Sequence, residues 1–93
     1  MFKSIKHKGL KLLYYKNDGS KLSKNHLQKI MMILDIIDEL QEVPGDLMLY
    51  QSLRPHPYKR EDHVWSLDVS GNYRILFRFI DGDAYDVDYT DPH

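Results

Sequence analysis

The chain has 93 residues, 42% of them hydrophobic, and its 13 basic and 14 acidic residues give a net charge of −1. That length and composition predict one folded domain, residues 1–93, and exclude two independent cores or a largely disordered chain. Without cysteine the chain has no disulfides or thiolate metal sites, and without a long hydrophobic run or an N-terminal secretion signal it is expected to be cytoplasmic, with no membrane partner.

The first residues predict a short strand followed by a helix. Residues 2–5 alternate between apolar and polar side chains, which favours a short edge strand. In residues 7–16, Leu10, Leu13 and Tyr14 recur at helical spacing, so we predict a first helix there. A polar turn then ends it.

The second helix has the clearest pattern in the sequence. It can be capped by Ser23 or Asn25, and we expect Pro44 and Gly45 to end it. Its apolar stripe is long enough to cover a sheet. The stripe contains Leu27, Ile30, Met31, Leu34, Ile37 and Leu40, and is widened by Met32, Ile33 and Ile36.

The C-terminal half predicts a three-stranded antiparallel meander joined by two three-residue loops. One loop covers residues 70–72 and the other residues 81–83, and each contains a glycine for a left-handed backbone position. Because successive side chains point to opposite faces of a strand, these loop lengths fix the register. The predicted cross-strand pairs are Val69 with Tyr73, Leu67 with Ile75, Trp65 with Phe77, Phe79 with Tyr85, Phe77 with Val87, and Ile75 with Tyr89.

This register gives the sheet an apolar face for the helices and an open polar face. The fold class is therefore α+β, with a short N-terminal strand and two helices packed on one face of an antiparallel sheet. The polar face is predicted to pair Asp68 with Arg74 and Arg78 with Asp86. Exposed ion pairs add only about 0.2–1 kcal/mol each, so stability alone is a weak reason for such a row. The apolar face is predicted to hold Trp65, Leu67, Val69, Ile75, Phe77, Phe79, Tyr85, Val87 and Tyr89.

Charge is unevenly distributed along the chain. Residues 31–53 contain five acids and no lysine or arginine, whereas residues 54–78 are net basic. A local basic face can bind phosphate even when the net charge is close to zero. The near-neutral total argues against broad, non-specific affinity for nucleic acid.

The basic segment carries groups suited to phosphodiester cleavage through a ribose 2′-hydroxyl. In that reaction one group removes the hydroxyl proton, another protonates the leaving oxygen, and an arginine stabilises the extra charge on the phosphorus group. The histidines are scattered without spaced carboxylate partners, so we predict no metal site and no cofactor. The candidate residues near the polar face are Arg54, His56, Lys59, Arg60, Arg74, Arg78, Asp91 and His93.

Several short motifs also stand in a specific order along the chain. Together they resemble the RelE/ParE toxin superfamily, and within it the HigB branch of type II toxin–antitoxin modules, over essentially the whole sequence. The motifs are Phe2-Lys3-Ser4-Ile5-Lys6-His7-Lys8-Gly9-Leu10, Leu53-Arg54-Pro55-His56-Pro57-Tyr58-Lys59, Trp65-Ser66, Gly71-Asn72-Tyr73-Arg74-Ile75, Phe77-Arg78-Phe79 and Gly82-Asp83-Ala84-Tyr85-Asp86-Val87-Asp88-Tyr89.

The resemblance implies a ribosome-dependent endoribonuclease that cuts translated mRNA. It also implies a helix-turn-helix antitoxin of the HigA kind as partner, with operator DNA bound only through that antitoxin. By position, His56 matches the catalytic histidine of the family, Lys59 the lysine that follows it, and Arg74 the arginine after the aromatic residue of the third strand. Asp91 and His93 match the first and last residues of a frequent terminal Asp-Tyr-His.

Two positions depart from the family pattern. Position 92 is proline where the family often has tyrosine, and position 60 is arginine where it often has glycine. These departures bear on the strength and codon preference of cleavage rather than on the class of protein. In the resulting assignment His56 and His93 act as acid and base, Arg74 stabilises charge, and Asp91 orients a neighbour. The predicted RNA phosphate ligands are Arg54, Lys59, Arg60 and Arg78.

Two other functions remain open from the sequence. The same fold could serve a non-enzymatic toxin that binds and poisons a protein such as gyrase, although such a binder has no chemical need for the set of histidines and cations. Alternatively, Pro92 and the near-neutral charge would suit a degenerate toxin kept as a binding module.

Overall fold

The computed structural model describes residues 2–90, which form an antiparallel four-stranded sheet with helices packed on one face. The strands lie in chain order across the sheet. This architecture confirms the predicted α+β fold class. The elements are α1 (Lys8–Lys16), α2 (Lys24–Glu39), a 3₁₀ segment (Gly45–Leu53), β1 (His56–Pro57), β2 (Val64–Asp68), β3 (Arg74–Ile80) and β4 (Asp83–Thr90).

Helix α1 lies where the sequence predicted it, and a histidine begins it. Nδ1 of His7 accepts hydrogen bonds from the backbone N–H groups of Gly9 (3.0 Å) and Leu10 (3.3 Å), which have no partner inside the helix. At the other end Asn17 adopts a left-handed conformation (φ 55°), and its N–H bonds back to the carbonyls of the last turn. Both ends are therefore closed by local groups.

Helix α2 begins after Ser23, one of the two predicted cap residues, although the Ser23 side chain makes no capping hydrogen bond. The helix ends at Glu39 and not at Pro44. Leu40 turns into an extended conformation (φ −62°, ψ 136°), and its side chain is buried in the core. Oδ2 of Asp46 then accepts from the N–H groups of Gln41 (2.9 Å) and Glu42 (3.1 Å). These two hydrogen bonds lower the pKa of Asp46 below its ordinary value of 3.8. The end of α2 is thus set by burial of Leu40 and by a carboxylate that stabilises the next turn.

The 3₁₀ segment was not predicted from the sequence. It is kinked at Tyr50, where the backbone leaves helical geometry (φ −119°, ψ 48°). Only Leu47 and Leu53 are buried in it, whereas Met48 and Leu49 are exposed. Two buried residues six positions apart do not make a helical stripe, so the pattern gave no signal.

The first hairpin has the predicted register. Leu67 pairs with Ile75 and Trp65 with Phe77, which confirms the predicted register. Val69 N–H donates to the carbonyl of Tyr73 at 3.0 Å, as expected for a loop of residues 70–72. Asp68 lies opposite Arg74 on the other face of the sheet. The sequence pattern was sufficient here because most side chains of the two strands alternate, although Val64 and Leu76 are apolar residues on the polar face.

The predicted three-residue loop of the second hairpin is wrong. Ile80 pairs with Asp83, so the turn contains only Asp81 and Gly82, both at positive φ (51° and 84°). That conformation matches the right-handed twist of the two strands. As a result Phe79 pairs with Ala84 rather than with Tyr85.

A β-bulge then returns β4 to the predicted register. The pairing shifts between Leu76 and Arg78, and Asp86, at φ 53°, supplies the additional residue. Before the bulge Tyr85 lies opposite Arg78 on the polar face, which corrects its predicted place in the core. Beyond the bulge Ile75 pairs with Tyr89, as predicted.

The N-terminal segment adds to the sheet beyond β4. The predicted strand 2–5 consists of two isolated parallel bridges, Phe2 to Ala84 and Ile5 to Val87. Lys3 N–H donates to the carbonyl of Ala84 and Lys6 N–H to that of Val87, both at 2.8 Å. Strand β4 is therefore covered on both sides by backbone.

The hydrophobic core lies between the helices and one face of the sheet. The polar face is less open than predicted, because Ser66 and Asp68 are only 2% and 9% exposed. No helix within residues 2–90 is long and apolar enough to cross a membrane. The largest fully buried apolar side chains are Phe77, Leu10, Ile30, Ile33, Ile37, Leu47, Leu53, Leu67, Ile75 and Val87.

Candidate active site

A cleft of about 220 Å³ lies on the polar face of the sheet. The strand pairing explains its composition: His56 lies opposite Ser66, Ser66 opposite Leu76, and Arg74 opposite Thr90, all on one face. The residues that line it are His56, Tyr58, Arg60, Ser66, Arg74, Leu76 and Thr90.

One hydrogen bond to the backbone orients the imidazole of His56. The segment is stiffened by prolines on either side, and Arg54 before it adopts a left-handed conformation (φ 50°). In that conformation the Arg54 carbonyl lies 2.7 Å from Nδ1 of His56. Because a carbonyl can only accept, Nδ1 carries the proton and Nε2 of the neutral ring keeps its lone pair. His56 therefore presents a nitrogen that can take up a proton.

The guanidinium of Arg74 is held on several sides. Its Nε lies 2.9 Å from Oδ1 of Asp68, which confirms the predicted pair. Its Nη1 donates to the carbonyls of Ser70 (2.7 Å), Tyr73 (3.1 Å) and Gly71 (3.4 Å), all in the turn before β3. With its side chain only 20% exposed, Arg74 forms a fixed positive charge in the wall of the cleft.

Asp68 has a second arginine partner. Its Oδ2 lies 3.7 Å from Nε of Arg54, whose side chain is 79% exposed at the rim. Oδ1 is buried and, although it lies close to Arg74, it accepts no well-aligned hydrogen bond from residues 2–90. The contact with Arg74 is thus an ion pair rather than a directional hydrogen bond.

The structure brings some of the predicted site residues together and separates others. Arg60 lines the cleft, as His56 and Arg74 do. Lys59, next to it in sequence, lines a different depression with Trp65 and Phe79. Asp91 and His93 lie outside the described residues.

Arg78 lies in a depression beside the cleft, with Leu76 in both. Its Nε is 3.8 Å from Oδ2 of Asp86, which confirms the predicted pair, and its Nη2 is 3.9 Å from Glu61. Nη1 also donates to the carbonyl of Asp62 at 2.9 Å. These contacts fix Arg78 close to the site but outside the cleft proper.

Tyr58 and Thr90 are cleft residues that the sequence reasoning did not select. Tyr58 falls inside the basic proline-containing segment, so its position in the sequence could have indicated that it lies near the site. Thr90 is the cross-strand partner of Arg74, which places it in the same wall. Neither has a motif of its own.

A cluster of two histidines and two tyrosines supports this end of the sheet from the core side. Nδ1 of His26 lies 2.6 Å from the hydroxyl of Tyr89, and the ring of Tyr89 stacks on Tyr73 at a centroid distance of 5.1 Å. The ring of His7 meets Tyr89 edge-on. Burial, and secondarily the neighbouring Tyr73, raise the pKa of Tyr89 above its ordinary value of 10.0. The residues that follow Tyr73 and Tyr89 are Arg74 and Thr90, so the cluster supports the wall of the cleft.

Among residues 2–90, no group of three or more histidine, aspartate or glutamate side chains is arranged to hold a metal ion. The chemistry of the described cleft residues is that of an imidazole, a phenol, hydroxyls, the fixed guanidinium of Arg74 and the exposed guanidinium of Arg60.

Comparison with known proteins agrees with the fold and the cleft. A family model for the HigB-like toxin, described as the RelE-like toxin of the type II toxin–antitoxin system HigB, matches residues 3–93. The chain is also 43% identical to Endoribonuclease HigB of Proteus vulgaris over 94 aligned residues, which cover the whole of both chains. The chain therefore belongs to the HigB family of RelE-like toxins from type II toxin–antitoxin systems.

Proposed function

We propose that this toxin is a ribosome-dependent endoribonuclease that cuts translated mRNA. The observation that carries the proposal is a cleft in which His56, with Nε2 free to accept a proton, shares a wall with the fixed guanidinium of Arg74. The activity named for the Proteus vulgaris relative supports the same class. Residues 1–93 act as a single toxin domain in this proposal.

The reaction needs three functions, and the described cleft offers groups for two of them. Nε2 of His56 removes the proton of a ribose 2′-hydroxyl, and the oxygen attacks the adjacent phosphorus. Arg74 stabilises the additional negative charge on the phosphoryl oxygens. The bond from phosphorus to the 5′ oxygen then breaks, and that oxygen takes up a proton, which leaves a 2′,3′-cyclic phosphate and a 5′-hydroxyl.

We assign the protonation of the leaving oxygen to His93, with Asp91 as its orienting neighbour. Both assignments rest on the family resemblance. Arg60, which lines the cleft, and the exposed Arg54 would hold phosphates beside the cleaved bond. Lys59 and Arg78, in the neighbouring depressions, would contact phosphates further along the RNA.

The non-enzymatic binder is less well supported. A surface that only binds a protein target has no need for an imidazole oriented through Nδ1 beside a fixed arginine. The relative that matches over the whole chain is named as an endoribonuclease, not as a gyrase inhibitor.

The test is expression of three variants in cells that lack the antitoxin. His56→Ala should lower cleavage by roughly 10²–10⁴-fold through loss of the proton acceptor, and Arg74→Ala by about 10²–10³-fold. A chain that lacks His93 should also be strongly impaired. Primer extension on mRNA after induction measures the new 5′ ends, and growth measures toxicity.

His63→Asn is the matched control for His56→Ala. It removes an exposed imidazole outside the cleft, and asparagine tolerates the positive φ of 65° at that position. It should cut mRNA like the parent. If the His56 and Arg74 variants also cut like the parent, the site assignment is wrong, and if the parent produces no new 5′ ends, the nuclease proposal itself is wrong.

The partners follow from the same proposal. We expect a HigA-like helix-turn-helix antitoxin that neutralises the toxin and alone contacts operator DNA. Because the substrate is mRNA under translation, the toxin acts in the cytoplasm. Co-purification with the product of a neighbouring helix-turn-helix gene, with loss of toxicity, would be the supporting result.

A further inference from the structure

A buried carboxylate lies between two arginines at the cleft, and each of its oxygens faces a different one. Oδ1 of Asp68 faces Nε of Arg74 at 2.9 Å, and Oδ2 faces Nε of Arg54 at 3.7 Å. The exposed fractions of the three side chains are 12% for Asp68, 20% for Arg74 and 79% for Arg54. The carboxylate is therefore shared by one fixed and one free cation.

The contact of Asp68 with Arg74 is harder to break than its contact with Arg54. Arg74 is also held by the carbonyls of the turn before β3, so it cannot leave Asp68 without losing several hydrogen bonds. A buried carboxylate needs a paired cation, which further favours this contact. Arg54 has a longer contact and a solvated side chain, and ion pairs of that kind are weak.

A phosphate of RNA is a better partner for Arg54 than Asp68 is. It carries the same charge as a carboxylate and can accept two parallel hydrogen bonds from a guanidinium. The carbonyl of Arg54 also accepts a hydrogen bond from Nδ1 of His56, so the residue that would hold this phosphate also orients the proposed proton acceptor.

We propose that Asp68 is a positioning residue with two tasks. It holds Arg74 in place both with and without RNA, and in the absence of RNA it pairs with Arg54 until an RNA phosphate takes its place there. The proposal deepens the nuclease assignment and rests on it. It makes Asp68 a carboxylate that improves turnover although its charge opposes RNA binding.

The test is Asp68→Asn, which keeps the shape of the side chain and removes its charge. Cleavage in a reconstituted translation system should lose about 10²-fold in kcat, because Arg74 loses the ion pair at Nε and is then held at Nη1 alone, by the turn carbonyls. A small displacement of a catalytic group can cost that much in rate. The Kd for an RNA oligonucleotide carrying a 2′-deoxy substitution at the cleavage site should fall roughly twofold to fivefold, since the competing anion is gone. Unchanged kcat, or weaker binding of the oligonucleotide, would overturn the proposal.

Asp35→Asn is the charge-matched control, since it removes an exposed carboxylate from α2, on the far side of the sheet. It should change neither kcat nor Kd. Thermal unfolding of both variants shows whether Asp68→Asn is folded at the assay temperature. If the loss of kcat in Asp68→Asn equals its unfolded fraction and the Kd is unchanged, Asp68 is not a positioning residue.

A second measurement uses the wild-type protein alone. Nitrogen-edited NMR of the arginine Nε–H groups, with the 2′-deoxy oligonucleotide added, should move the signal of Arg54 and leave that of Arg74 in place. Two results would contradict the proposal. In one, the oligonucleotide moves the Arg74 signal of the wild type to the position it has in Asp68→Asn, and in the other the Arg54 signal does not move. This measurement needs no cleavage, so it separates failure of this inference from failure of the nuclease assignment.

Discussion

At the scale of single residues, the backbone of Arg54 matters as much as its side chain. Its left-handed conformation turns the carbonyl toward Nδ1 of His56 and so decides which ring nitrogen is protonated. A residue chosen from the sequence for its charge thus has a second task that only the structure shows.

The two tasks of Arg54 can be separated by two substitutions. Arg54→Gly and Arg54→Val both lose the guanidinium, but glycine adopts positive φ freely and valine does not. We expect Arg54→Val to cut mRNA about tenfold more slowly than Arg54→Gly and to be less stable by about 1–2 kcal/mol. Cleavage rates and urea unfolding measure the two effects, and equal rates would show that the carbonyl of Arg54 does not set the orientation of His56.

At the scale of elements, the second hairpin depends on its turn. Gly82 has φ +84°, and an added Cβ would meet no atom within 4 Å. Gly82→Ala should therefore lose about 1–2 kcal/mol of unfolding free energy through backbone strain alone, without a steric clash. Urea unfolding at neutral pH measures the change.

Gly71→Ala is the matched control for that substitution. Gly71 lies in the turn of the other hairpin, has the same open surroundings, and is not held at positive φ. It should change stability by less than about 0.5 kcal/mol. An equal loss at both positions would show that the left-handed conformation at Gly82 is not what the turn requires.

The loop after α2 should respond to acid through Asp46. Its pKa is lowered in the folded state by the N–H groups of Gln41 and Glu42, so the unfolded chain binds its proton more tightly. Its contribution is full above the ordinary pKa of 3.8 and is lost as the pH falls through the lower folded value. Asp46→Ala should melt below the wild type at pH 7, and the difference should shrink in acid.

Asp35→Ala is the control for Asp46, because Asp35 is an exposed carboxylate on α2 rather than part of the loop. Its melting temperature at pH 7 should lie close to that of the wild type. A difference between Asp46→Ala and wild type that stays constant into strong acid would rule out the carboxylate as its cause.

The elements differ in how far the sequence alone could predict them. Helix α1 and the first hairpin follow from apolar periodicity, because the spacing holds over nearly the whole of each, and the start of α2 follows from its candidate cap residues. The end of α2 could not be predicted, since it depends on Asp46 reaching back to Gln41 from outside the helix. In the second hairpin, the short turn and the bulge each shift the register, and the two shifts cancel by Tyr89.

At the scale of the whole molecule, one sheet separates the core from the cleft. Ile37 on α2 is fully buried against the apolar face, so Ile37→Ala should cost about 2–5 kcal/mol. That is a large part of the stability of a domain this size. Cleavage per folded molecule should nevertheless stay the same, because the wall of the cleft is on the other face. Urea unfolding and kcat corrected for the folded fraction measure the two effects.

Met32→Ala is the control on the same helix, since Met32 is 47% exposed. Its effect should be within about 1 kcal/mol. A drop in kcat for Ile37→Ala beyond the loss of folded protein would mean that packing on one face does reach the other.

Part of the cleft could be predicted from the sequence, and the part that could not depends on how the whole chain folds. Strand parity placed Arg74 on the polar face, and the basic proline-containing segment offered His56 and Arg60 as candidates, because both are properties of the local sequence. The separation of Lys59 from Arg60 and the sharing of Asp68 by two arginines depend on how distant segments meet. No single-strand pattern contains that information.

The bridges between the N-terminal segment and β4 have a consequence for the order of events during synthesis. Residues 2–5 leave the ribosome early, but their backbone partners are Ala84 and Val87. Contacts between such distant parts of a chain form late, after nearly all of it is available. Strand β4 also contributes Thr90 to the wall of the cleft. A nascent chain therefore cannot complete its sheet or the wall of its cleft until β4 has been made, so the site assembles only after residues 83–90 have left the ribosome.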